Sequence, residues 1–217
     1  EITNIAATIP ANIRAVSLNT FLTPLFGAAL GRSQAGDDPI AENRTLFQTL
    51  AIYVNDENIE QLLGVELAQA LPEANVIEVR LHRRQDLARH LVSTASVTAS
   101  AGPDLAAMLS TTKEAYDARY RSGFSFSDLA ASHVGVALAS LSTRDRATAI
   151  LLQQRLSSVQ DEADYMPEIG NNQDGLSESE FNEIYSNRSS QEYQQRLLEI
   201  QALIDNRPVF AGLTTPR

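Results

Sequence analysis

A mainly α fold, built as an antiparallel helical bundle with an irregular N-terminal arm and at most a minor β element, is predicted by three features of the chain. Apolar residues recur at spacings of three and four along most of its length. The short Ser-x-x-acid signal that opens helices appears repeatedly, and only one stretch alternates with the period of a strand. The 217 residues are 43% hydrophobic, with 10 Gly and 8 Pro, which supplies one sizeable core and rules out a disordered or collagen-like chain.

Residues 1–40 carry apolar patches interrupted by Pro10, Pro24, Gly27, Gly31 and Pro39, so they read as an arm packing on the core. Residues 41–217 read as a single helical domain. Within the arm, the uncharged stretch Ala15 to Gly31 contains Asn19, Thr20, Thr23 and Pro24, too polar for a membrane span, and is expected to be a core or docking segment. No transmembrane segment is expected. Leu46, Phe47, Leu50, Ala51 and Val54 predict a helix over 44–54, and a short helical piece follows over 59–70. Val76 to His82 then alternates, with Ile77, Val79 and Leu81 on one face, as in a half-buried strand. A lone strand needs a partner, and the N-terminal arm is the candidate.

The remaining helices are expected over 85–101, stopped by Gly102-Pro103, and over 104–120, capped by Asp104. A third is opened by Ser125 with Asp128 at capping-box spacing, and a fourth runs from the Ser142-Thr143-Arg144-Asp145 signal to about residue 163. After a loop over 164–176, Ser177-Glu178-Ser179-Glu180 and Ser189-Ser190-Gln191-Glu192 open two more. Tyr193, Leu197, Ile200 and Ile204 share one face of the last.

The chemistry is narrowed mostly by exclusion. Seventeen Lys and Arg against 27 Asp and Glu give a net charge of −10, a field that repels phosphate backbones, so no nucleic-acid partner is expected. There is no Cys, which removes thiolate chemistry and Cys-type metal centres. GxSxG, P-loop, GxGxxG and HExxH motifs are all missing. Asn172-Gln173-Asp174-Gly175 suggests a calcium loop, but placing Gly175 at the sixth EF-hand position puts Gly170 and Phe181 where carboxylates are required, so it reads as a solvated connection. Arg80, His82, Arg83, Arg84, Arg89 and His90 form a basic patch in an acidic chain. An envelope protein or an anionic ligand could be received at Arg80, Arg83, Arg84 and Arg89, unless they pair internally.

The candidate site lies between residues 89 and 139. His90 projects from a helix otherwise built of Leu, Val, Ala, Ser and Thr, 12 residues before Gly102, and Glu114 follows Pro103 by 11. If the two helices pair antiparallel across Gly102-Pro103, these residues lie at similar heights. Glu114 and Asp117 share a helix face, where like charges repel unless a cation, a proton or Arg121 intervenes. His90, Glu114, Asp117 and Asp128 are therefore the candidate catalytic groups. Of these, His90, Glu114 and Asp128 are candidate ligands for a divalent metal, because one imidazole with carboxylates suits Zn²⁺, Mn²⁺ or Fe²⁺ and suits acid–base work equally. The plainer reading makes His90 a core histidine bonded to Asp86 or a carbonyl, and Asp128 a helix cap. No cofactor is otherwise expected.

The order His90, Lys113-Glu114, Asp117, then Gly123-Phe124-Ser125-Phe126-Ser127-Asp128-Leu129-Ala130 and Gly135, resembles a group of uncharacterised bacterial proteins with an H…KExxD…GFSFxDLA pattern. That group is distantly similar to VanZ-type and small periplasmic lipoprotein families of the envelope. Leu176 to Phe181 belongs to the resemblance as well. It implies that His90, Glu114, Asp117 and Asp128 converge, and it implies a periplasmic or envelope location, with which a start at Glu1 instead of Met agrees if an upstream segment has been removed. At Ser132 the pattern often carries an acid at or beside that position, so a full four-ligand metal site is not implied here. Two functions remain open: an envelope-associated or periplasmic binding or structural protein with a buried His/carboxylate cluster, and a metal-assisted or carboxylate–histidine hydrolase acting on an envelope substrate.

Overall fold

The structure is a computed structural model that describes residues 1–70, 72, 74–103, 106, 123–169 and 174–215. Apart from Ala106, the expected helix over 104–120, with Lys113, Glu114 and Asp117, lies outside the described residues, as do Arg121, Gly170, Asn172 and Gln173. Described elements run in the order α1 (Ile2–Thr8), β1 (Ala15–Ser17), α2 (Asn19–Ala35), α3 (Pro39–Asn55), α4 (Ile59–Leu63), α5 (Val65–Ala70), β2 (Glu78–Arg80) and α6 (Gln85–Ala101). After the undescribed stretch come α7 (Phe126–Ser142), α8 (Arg146–Leu156), α9 (Glu178–Tyr185) and α10 (Gln191–Asp205), with single 3₁₀ turns at Glu162–Asp164 and Pro208–Phe210. The fold is mainly α with one two-stranded sheet. No helix among the described residues is long and apolar enough to cross a membrane.

The N-terminal segment is more regular than an arm. Phe21, Leu22, Leu25, Phe26, Ala29 and Ser33 of α2 are all buried, so this uncharged stretch is a core helix. Pro24 forfeits only one backbone hydrogen bond early in α2, a cost that burial of two Phe and two Leu, each about 1.5–3 kcal/mol, exceeds. Asp38 caps α3, with Pro39 in its first turn, through a hydrogen bond from the Ile40 N–H. The three-residue turn folds α3 back along α2, pairing Phe21 with Tyr53 and Phe26 with Phe47.

Strand β2 finds its partner in the N-terminal segment. It pairs with β1 in parallel, Val16 opposite Val79. Tyr53 holds the segment leading into β2, its hydroxyl accepting from the Ile77 N–H and donating to the Asn75 carbonyl. Beyond β2 the chain turns through His82 and Arg83, both left-handed at φ 49° and 65°, while Leu81 and Arg84 exchange both backbone hydrogen bonds. Two consecutive non-Gly residues there cost about 1–2 kcal/mol each. Glu162 offsets part of that by accepting the His82 N–H at 2.6 Å.

Side-chain bonds give the helix directions. Arg44 and Asn55 of α3 reach the Ala99 carbonyl and Ser93 of α6, so these helices are antiparallel, and Gln153 of α8 meets Ser33 of α2 in an antiparallel pair. The central pair, α6 and α7, runs parallel, which corrects a wholly antiparallel bundle; a connection spanning residues 102–125 is long enough to carry the chain back to the same end. The two pack extensively through small residues. A Cβ on Gly135 would lie 2.3 Å from both the Leu91 carbonyl oxygen and the Thr94 hydroxyl, so only glycine permits this approach.

The start signals are mostly borne out. Ser177 with Glu180 makes a full capping box, and Ser190 caps α10. Asp145, not Ser142, caps α8, accepting from the Thr148 N–H, and α8 ends at Leu156 rather than near 163. Ser142 is instead the last residue of α7, buried beside α3, where its carbonyl accepts from Asn43.

Candidate functional site

The site is assembled where the loop after β2, the start of α7 and the segment before α9 meet. Ser125 caps α7, its hydroxyl accepting from the Asp128 N–H at 3.0 Å. The carboxylate of Asp128 does not complete a capping box. It turns inward, with Oδ2 3.4 Å from His90 Nε2 and Oδ1 accepting from Arg84 Nη2 at 2.9 Å. His90 sits two turns into α6, 8% exposed, with Nδ1 3.2 Å from the hydroxyl of Ser132, which has no exposed surface.

Arg84 is the hub. Its guanidinium also donates to Asp174 at 2.5 Å and to Asp86 at 2.7 Å, so one cation is divided among three carboxylates. These surroundings push the guanidinium further up from an already high value, led by the hydrogen bond to Asp86 against the opposing cost of burial. Burial by itself would raise Asp86 and Asp174. The arginine outweighs it for Asp86, and for Asp174 the Ser127 N–H, Arg84 and Ser125 do so together, holding both below the usual carboxylate range. Asp174 thus acts as a second cap on α7, with Oδ1 accepting from the Ser125 hydroxyl at 2.9 Å and the Ser127 N–H at 3.0 Å.

The backbone beneath the cluster is equally committed. Phe124 and Leu176 exchange N–H···O bonds of 2.7 and 3.0 Å, joining the start of α7 to the segment before α9. Gly123, at φ 84°, lies so close to Gly175 that a Cβ on it would fall 2.4 Å from the Gly175 carbonyl carbon. Phe124 and Phe126 pack with Phe181, Tyr185 and Tyr193, ring centroids 4.8–6.1 Å apart, tying α7 to α9 and α10. The Gly-Phe-Ser-Phe-Ser-Asp run is therefore a structural junction, every residue of it in contact with another segment of the chain.

Of the candidate site residues, the structure brings His90 and Asp128 together; Glu114 and Asp117 lie outside the described residues. No group of three metal-ligating side chains occurs among the described residues. Ser132, His90 and Asp128 form a Ser–His–Asp series, but Ser132 is enclosed between α6 and α7 and offers no approach to a substrate, unlike an activated nucleophile. The basic patch is half neutralised. Arg80 pairs with Glu78 at 2.6 Å and Arg84 with the three aspartates, leaving Arg83 and Arg89 exposed without an ion pair among the described residues. Sequence reasoning missed Asp174, read as part of a solvated loop. Its signal was its place immediately before Gly175 and the Leu176 to Phe181 run.

Comparison with protein-family models, with curated proteins and with solved structures found no match.

Proposed function

We propose that this chain is a helical binding or structural protein of the periplasm or cell envelope, in which the His90–Asp128 cluster holds the fold together instead of turning over a substrate. One observation carries the reading: the Arg84 guanidinium, the Asp128 and Asp174 carboxylates and the Ser125 hydroxyl are each engaged with groups from other segments of the chain. A catalytic group needs at least one face turned to substrate, within hydrogen-bond reach of the reacting atom. The envelope setting rests on the resemblance of the His90 to Asp128 stretch to VanZ-type and periplasmic lipoprotein families.

A second reading, a metal-assisted or carboxylate–histidine hydrolase acting on an envelope substrate, is favoured by the 3.4 Å approach of His90 to Asp128. The two separate in one experiment. The intact protein is incubated with ester, peptide and phosphodiester substrates, with and without added Zn²⁺ or Mn²⁺, and the melting temperatures of His90→Gln and Asp128→Asn are measured. The structural reading expects no turnover and a clear drop in melting temperature for both variants. Turnover that His90→Gln abolishes while its melting temperature holds would establish the hydrolase.

A further inference from the structure

We draw no further inference here: the strongest candidate, the surface of the α4–α5 segment with the exposed apolar side chains of Ile59, Val65 and, before β2, Val76, carries none because nothing in the structure shows what covers it.

Discussion

Replacing Arg84 by Gln tests whether the cluster is a structural hub. The variant keeps the side-chain stem and a donor while removing the charge shared by Asp86, Asp128 and Asp174. Breaking a fully buried ion pair costs about 3–5 kcal/mol. Here the side chains are 36% exposed for Arg84, 11% for Asp128 and 29% for Asp174, so solvent screening reduces the expected loss to about 1–3 kcal/mol. In a domain of this size that lowers the melting temperature by roughly 2–12 °C. The pH dependence has a defined sign. Asp86 and Asp174 are held below their unfolded values, so their contribution is fully present above the unfolded pKa of about 3.9 and is lost as pH falls through the lower folded values. The difference between wild type and Arg84→Gln in urea midpoints should therefore be largest at pH 7 and shrink below about pH 4. A penalty under about 0.5 kcal/mol, the scale of an ordinary surface change, or one that persists undiminished in acid, would refute the hub.

Gly135→Ala should destabilise by about 1–3 kcal/mol in chemical denaturation, against the gain of about 1 kcal/mol that alanine brings to an exposed helix, because its Cβ meets the Leu91 carbonyl; a stabilised variant would show that α6 and α7 separate easily. Gly123→Ala combines a left-handed φ of 84° with a clash against the Gly175 backbone, and should weaken the near-ultraviolet circular dichroism of the Tyr185 and Tyr193 ring cluster along with the melting temperature. His133 is held below the usual imidazole range by burial, against a hydrogen bond with Gln201 that favours its charged form. Its contribution is present above the unfolded value of about 6.5 and falls as pH drops below it, so His133→Gln should flatten the dependence of the urea midpoint on pH between about 6.5 and 5.

What the sequence made legible follows from the range of the forces involved. Helix caps and apolar periodicity are local, so Ser125, Ser177 and Ser190 could be read from a few neighbours, and the alternation of Ile77, Val79 and Leu81 identified a strand whose burial the fold reproduces. The helix α2 was obscured by Pro24, Gly27 and Gly31, whose local penalty is outweighed by packing against α3 and α8 that no window along the chain displays. The pairing of His90 with Asp128 was expected only through the resemblance, since helix heights alone set His90 beside Glu114, and the role of Arg84 depends on Asp174, 90 residues away. Charge patterning alone left open whether Arg84 pairs internally and read Asp174 as a solvated acid; the structure answers the first by pairing and overturns the second, each residue supplying the other's partner.

That mutual dependence extends to the whole contact between the Gly123 to Asp128 run and the Leu176 to Phe181 run. Gly123 admits the Gly175 backbone, Phe124 exchanges backbone bonds with Leu176, Ser125 receives its second partner from Asp174, and Phe126 packs against Tyr185. A change in one run leaves a buried group unmatched in the other, at about 1–3 kcal/mol for each unsatisfied donor or acceptor. The two runs constrain each other through the fold whether or not any substrate is involved, and a motif held by such reciprocal contacts has a sufficient physical cause in the junction itself.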